Sequence, residues 1–366
     1  APMLYNVGII IGTVWFTGGV NLFGWQIFDG GIMGVALGVV LGSFLQLIVS
    51  AVGLAGLGFD YNFKIYWRNK GFRKVLSLLP ARSVDQGMDY VVSLVEVNLA
   101  SRLADGTVRA YQQALTLHMM PINLIGVAIS NAAFPQLTEH LGEGRNDLFQ
   151  KDLRSLLRII FWMALPVSVV IFFTRGYVVH FIRNGGNQLI AGILGCLVVA
   201  ILFRTIYHMA ARAFYARQDT KTPLYISIFS ITLNIILAIV LSMVLKMGAY
   251  GLAWAQSTVA VLEVVVLLAV MNRQMPKLFD MTFVRAIFKM IIAGTVTGVV
   301  CYIAVLIMPF RYHDDSFFSA FPKFVIISLV SFGAYAAASK WLKLPEIDPI
   351  LARLKKVLFG RLEFKG

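Results

Sequence analysis

Apolar runs of around twenty residues, broken by short polar stretches, recur along nearly the whole chain. A helix rises 1.5 Å per residue, so about twenty residues cross a hydrocarbon core of roughly 30 Å. The pattern predicts ten transmembrane helices, over 3–21, 31–57, 75–103, 108–132, 154–174, 188–213, 223–245, 249–271, 284–308 and 322–342. The expected fold class is therefore all-α, a polytopic transmembrane helical bundle. Gly34, Gly38 and Gly42 recur four apart in the second span, a spacing that brings helix backbones close together.

The third span departs from the pattern. Arg82, Gln86, Asp89, Ser93 and Glu96 step by four, three, four and three, which stacks them on one helical stripe. An ionisable side chain facing lipid costs at least about 2.5 kcal/mol, so the stripe faces protein or a water-filled cavity. Asp89 falls near the midplane, roughly 20 Å from either end of the span. Arg82 lies nearer the cytoplasmic end, where it either lines the cavity or snorkels to water. Asp89 and Glu96 are too short to snorkel, which leaves a cavity-facing role or a buried structural pair.

Span four continues the polar theme with Gln112, Gln113, Thr116 and His118, followed by Pro121. Pro121 removes a backbone hydrogen bond, and the helix is expected to kink there. His118 reads as a proton relay or as a structural hydrogen-bonding group. Gln136 to Arg158, with Gly142 and Gly144 as breakers, reads as an amphipathic helix on the cytoplasmic surface. The candidate cavity-lining residues are Arg82, Gln86, Asp89, Glu96, Gln113 and Thr116.

Composition narrows the class. Hydrophobic residues make up 58% of the chain and charged residues 14%, which excludes an ordinary soluble domain. The net charge of +14 invites a nucleic-acid reading. Its distribution argues against one, because the basic residues sit between apolar spans and mostly in alternate loops. Lys64, Arg68, Arg145, Lys151, Arg217, Lys221, Arg273 and Lys277 all fall on one side, which makes both ends cytoplasmic. Anionic membrane lipids are the expected partners of these charges.

Chemistry on substrates finds little to use. The two cysteines, Cys196 and Cys301, lie apart within spans, and the five histidines form no metal-ligand spacing. No phosphate-binding glycine loop or nucleophile elbow stands in a suitable context. No catalytic residue, metal or cofactor is expected. The chain opens Ala1-Pro2-Met3 directly into an apolar span, from which we expect a longer natural protein.

Between spans six and seven lies Arg212-Ala213-Phe214-Tyr215-Ala216-Arg217-Gln218-Asp219-Thr220-Lys221-Thr222-Pro223. Asp219 or Thr220 is placed to cap the next helix, and Pro223 suits its first turn. Arg212, Arg217, Asp219, Thr220 and Pro223 form a candidate gating hinge. This stretch resembles the signature of the MurJ (MviN) family, lipid II flippases of the multidrug/oligosaccharidyl-lipid/polysaccharide exporter superfamily. The resemblance extends through Leu99-Ala100-Ser101, Asp105-Gly106-Thr107-Val108, Gly126-Val127-Ala128 and Phe134-Pro135. Pro2 to Gly12 resembles the start of that family's fifth transmembrane helix, so the ten spans match helices five to fourteen.

The resemblance implies a MATE-like, two-lobed transporter, with 1–58 as the last two helices of the N-terminal lobe. A cytoplasmic linker would follow at 59–74, a six-helix C-terminal lobe at 75–272, a further helix pair at 273–343 and a basic cytoplasmic tail at 344–366. It implies a flippase rather than an enzyme, residing in the bacterial cytoplasmic membrane. The substrate would be an undecaprenyl-pyrophosphate-linked disaccharide peptide, moved by alternating access coupled to the membrane potential or a monovalent ion. A groove beside spans nine and ten would take the lipid tail. Arg82 matches an arginine of the family's seventh helix, whereas Thr116 stands where the family commonly has arginine. The alternatives are an exporter of another lipid-linked oligosaccharide or a small cation, and a membrane-embedded transferase using Asp89 or Glu96 as base. The oligomeric state is left open.

Overall fold

The computed structural model describes residues 2–18, 20–22, 25–28, 30–54, 67–182, 187–276, 278–309 and 317–348. Within those, the side chains of 2, 20–22, 25–28, 54, 70, 71, 74, 75, 77–86, 88, 89 and 317 lie outside the description. Contacts divide the chain into two units, Ala1–Lys74 and Val75–Gly366.

In the first unit, α1 (Pro2–Ile11) continues as a π-helical stretch, Gly12–Phe16, and α2 spans Ile32–Leu54. The loop expected around Trp25 is a short antiparallel hairpin, β1 (Val20–Leu22) with β2 (Trp25–Phe28), pairing Leu22 with Trp25. The two helices meet through glycine. A Cβ on Gly12 would stand 2.5 Å from the Gly38 Cα, and one on Gly8 would collide with the Gly42 backbone. Lipid supplies no hydrophobic drive for helix association, so such close backbone packing is what holds a pair of this kind together. The predicted linker lies outside the described residues over 59–66. Its last five residues begin the next helix instead.

The remaining helices are α3 (Lys70–Ser101), α4 (Thr107–Pro121), α5 (Ala128–Gly142), α6 (Asn146–Ile182), α7 (Gln188–Ala216), α8 (Lys221–Ile239), α9 (Ala249–Gln274), α10 (Met281–Ile307) and α11 (Phe317–Trp341). Helix α7 is the axis of the second unit. It packs against α4, α5, α6 and α9, and Ile193, Leu194, Leu197, Ala200, Met209 and Phe214 along it are fully buried. Helices α10 and α11 pack on α6. There Trp162 Nε1 donates to Ser339 Oγ at 3.0 Å and the Tyr177 hydroxyl to the Met308 carbonyl at 2.5 Å.

After Pro121, α4 passes through a π-helical stretch, Ile122–Val127, into α5. The perturbation expected at the proline is thus a local widening that joins two helices into one run, Thr107–Gly142. The separate amphipathic helix expected over 136–158 does not form. Its residues extend α5 and α6 to a turn at Glu143–Arg145, with Gly144 at φ 73°. The physical reason is continuity of the apolar faces, since Leu137, Phe149, Leu153 and Leu157 carry one core cluster outward. The 37 residues of α6 span roughly 55 Å, well beyond the hydrocarbon core. At that polar end, Gln136 Nε2 and His140 Nε2 both reach Asp152 Oδ2, at 2.7 and 3.0 Å.

Among the described residues, eight helices are long and apolar enough to cross a membrane, matching eight of the ten predicted spans. The first and third predicted spans contain only shorter apolar helices, Met3–Phe16 and Tyr90–Ser101. In the third, the polar positions from Arg82 to Asp89 break the hydropathy of one long helix.

Candidate functional site

Several buried polar side chains of the second unit lie on α3, α4, α7, α8 and α9. Glu96 belongs to the buried face of α3, together with Val92, Leu99 and Ala100. Its Oε1 accepts from Gln256 Nε2 on α9 at 2.8 Å, and the buried Tyr111 of α4 lies beside the same carboxylate. On α7, Arg204 donates from Nη1 to Glu263 Oε2 of α9 at 2.7 Å, and its guanidinium lies 5.7 Å from the Tyr207 ring centre. The carboxylate of Glu263 is 3% exposed and the Arg204 side chain 27% exposed. Desolvating two charges is expensive, and such a pair persists only with close geometry and further bonds.

His118 Nδ1 stands 2.9 Å from the Leu115 carbonyl. A carbonyl only accepts, so Nδ1 carries the proton in this contact. Helix α8 adds Ser227, whose Oγ is 3.1 Å from the Tyr207 hydroxyl. Asn234, about two turns further on, is buried with neither amide atom hydrogen-bonded. The seam continues to the α7–α8 turn, where Asp219 Oδ1 accepts from the Thr222 amide at 3.0 Å and Oδ2 from its hydroxyl at 2.7 Å. Gln274 at the end of α9 donates to Asp219 at 3.4 Å and accepts from Arg217 at 2.5 Å. Partial burial alone would raise the Asp219 pKa, but the bonds from Thr222, Gln274 and the Lys221 backbone outweigh it and lower the value.

The sequence-derived candidates fare differently. Arg82, Gln86 and Asp89 lie on α3, but their side chains are outside the described residues. Ser93 is exposed, whereas Glu96 is buried at 2% and bonded to Gln256, the paired alternative to an open cavity-lining position. On α4, Thr116 is exposed and turns its hydroxyl back to the Gln112 carbonyl at 2.9 Å. Gln113 is half-buried, with its Oε1 left without a partner. Thr116 and Glu96 are therefore not brought together. Of the hinge residues, Asp219 rather than Thr220 makes the side-chain cap of α8, and Pro223 is buried in its first turn. Arg217 joins the Asp219 clasp through Gln274. Arg212 lies on α7 just before its last turn.

Sequence reasoning missed Glu263 and Gln256. A signal for Glu263 was present, since it is the one charged residue of the eighth span and Arg204 stands well inside the sixth.

A family model described as "Lipid II flippase MurJ" matches residues 1–321. A probable lipid II flippase MurJ of Thermotoga maritima is 25% identical over 358 residues, 96% of this chain and 66% of that relative. One from Borreliella burgdorferi is 26% identical over 263 residues, 70% of this chain and 50% of its own length. Among solved structures, a lipid II flippase MurJ in an inward closed conformation aligns at TM-score 0.68 and 23% identity, covering 92% of this chain and 65% of that one. An outward-facing MATE family transporter aligns at TM-score 0.50 and 10% identity, over 71% of this chain and 63% of that one. These likenesses establish an all-α, MATE-like fold. The chain spans 45% to 66% of the length of the relatives it matches.

Proposed function

The chain belongs to the lipid II flippase MurJ family, and from that premise we propose that its protein moves lipid II across the bacterial cytoplasmic membrane. The observation that carries this reading is the family match over residues 1–321. The cargo is an undecaprenyl-pyrophosphate-linked disaccharide peptide, taken from the cytoplasmic leaflet to the outer one by alternating access. The protein acts as a transporter and makes or breaks no covalent bond. Both ends of the chain are cytoplasmic, as the loop distribution of basic residues supports. Transport draws on the membrane potential or on a monovalent ion gradient.

The multi-pass, all-helical architecture suits this role, since a bundle with a polar seam conducts a headgroup past lipid without exposing charge to hydrocarbon. The stripe on α3 that carries Arg82, Gln86 and Asp89 is assigned to headgroup contact, with Gln113 and Thr116 on α4. Glu96, buried and bonded to Gln256, is assigned to positioning α3 against α9. The clasp of Arg217, Asp219 and Gln274 fixes the α7–α8 turn to α9, so a change of access on that side either carries the three together or breaks two hydrogen bonds.

The test is reconstitution of the full-length protein in vesicles holding fluorescent lipid II in one leaflet, read with a membrane-impermeant quencher. Protein-dependent exchange of lipid II between leaflets is expected. Exchange of another lipid-linked oligosaccharide without lipid II would replace the substrate, and product formation in detergent lost in Asp89→Asn would favour the transferase.

A further inference from the structure

Where α9 ends and α10 begins, the two helices leave a groove of about 440 Å³, within the usual 300 to 1,000 Å³ or so of ligand sites. Leu268, Asn272, Phe279, Phe283, Ile287 and Ile291 line it. The rings of Phe279 and Phe283 stand 4.9 Å apart and pack against the buried cluster that includes Met275 and Leu278, so this part of the groove is anchored to the core. Val284 and Phe288 are shared with an adjoining hollow that Arg285 and Lys289 complete. An apolar trough thus runs beside two cations.

Their charges are placed differently from those nearby. Arg154 is neutralised by Asp280 at 2.7 Å and Arg158 by Glu346 at 2.5 Å. Lys289 donates from Nζ to the Leu342 carbonyl at 2.9 Å, a neutral partner that holds the charge in place without cancelling it. Arg285 is exposed and meets no acidic partner among the described residues. The depth is also defined. Helix α10 has 27 residues, roughly 40 Å, which equals a bilayer of about 40–45 Å with its headgroup layers. Arg285, about 6 Å from the start of α10, therefore stands at headgroup level, while Ile287 and Ile291 lie progressively deeper.

We propose that this groove binds one anionic glycerophospholipid. Its phosphate meets Arg285, with Lys289 adding charge from one turn deeper, and an acyl chain lies along Phe283, Ile287 and Ile291. A zwitterionic lipid fits the trough equally well but brings its own cation to the phosphate, so it gains less from the two basic side chains. The isoprenoid tail of a transport substrate is a different occupant. The groove that the family resemblance implies lies beside both of the last two spans, whereas α11 lines no part of this one among the described residues. The site is independent of whether lipid II is the cargo.

The test is native mass spectrometry of the delipidated full-length protein titrated with dioleoyl phosphatidylglycerol or dioleoyl phosphatidylcholine. Phosphatidylglycerol should bind more tightly. Arg285→Ala should weaken it about fivefold, from roughly 1 kcal/mol per basic side chain at an anionic surface, and leave phosphatidylcholine unchanged. Ile287→Trp, which fills the trough, should weaken both lipids without lowering the unfolding temperature. Equal binding of the two lipids to the unaltered protein, or an Arg285→Ala variant that still binds phosphatidylglycerol normally, would overturn the proposal. Displacement of phosphatidylglycerol by equimolar undecaprenyl phosphate would also overturn it, by giving the groove to an isoprenoid tail.

Discussion

Arg204 of α7 and Glu263 of α9 form a 2.7 Å ion pair inside the second unit, with the carboxylate almost fully buried. The pair crosses one of the most extensive helix contacts in that unit, α7 against α9. Removing one partner of a buried pair costs about 3–5 kcal/mol, because the other charge is stranded. Arg204 keeps some access to solvent, so Glu263→Gln should fall below that range and Arg204→Met within it. Replacing both charges with apolar residues, as in Arg204→Met with Glu263→Leu, should recover most of the loss. Unfolding temperatures in detergent check this, and a double variant as unstable as Arg204→Met alone would contradict it.

Glu96 depends on Gln256 in a similar way. Gln256→Ala removes the 2.8 Å bond and leaves a buried carboxylate short of a donor, a loss of about 1–3 kcal/mol. Glu96→Gln keeps an acceptor oxygen in place for the Gln256 amide and should destabilise far less. The contrast between the two variants, read as unfolding midpoints, separates a hydrogen-bond role from a requirement for charge.

The turn after α7 is a Schellman motif. Asp219 N donates to the Phe214 carbonyl and Gln218 N to the Tyr215 carbonyl, both at 3.0 Å, with Gln218 at φ 61°. A side chain costs about 1–2 kcal/mol in that left-handed conformation, and glycine is the usual occupant. Gln218→Gly should raise stability by up to about 1 kcal/mol, offset in part by glycine's greater freedom in the unfolded chain. Calorimetry of the pair would show a higher midpoint for the glycine variant.

The Asp219 cap also carries a pH signature. Its folded pKa is lowered, so its contribution is complete above the unfolded value of about 3.9. It is lost as pH falls through the lower folded value. Asp280, lowered chiefly by the Thr282 hydroxyl and the Phe283 amide, follows the same sign. Asp219→Asn retains an acceptor for the Thr222 amide but does not titrate, so its stability should fall less steeply below about pH 4. Parallel acid-unfolding curves for the variant and the unaltered protein would sink this prediction.

Much of this was readable beforehand, for identifiable reasons. Hydropathy is summed over twenty residues, so it located the eight membrane-length helices of the described residues whatever their partners. Glycine spacing at Gly34, Gly38 and Gly42 foretold close packing because only one kind of contact needs it. Glu96 shows the limit. Periodicity placed it on a polar stripe but could not tell a wet cavity from a neighbouring helix, since both satisfy a carboxylate. The answer lay at Gln256, 160 residues away. The stretch 136–158 failed differently, because polarity signals departure from lipid and says nothing about whether a helix stops.

Thr116 offers the sharpest functional prediction. The family resemblance puts arginine at this position, and threonine provides no cation for a pyrophosphate. The side chain is exposed on α4, and its hydroxyl is spent on the backbone of its own helix, so a longer residue fits there without repacking the core. Thr116→Arg should therefore leave the unfolding temperature nearly unchanged. A hydrogen bond to a charged group adds about 1.5–3 kcal/mol, and a guanidinium presents two donors at once to phosphate oxygens. In the proposed flippase, the variant should bind an undecaprenyl-pyrophosphate headgroup at least about tenfold more tightly, measured by titration in detergent. Turnover should fall as release slows, because tighter binding of the resting complex deepens the well from which the cargo must leave. Unchanged affinity with intact folding would show that α4 does not present this position to the headgroup.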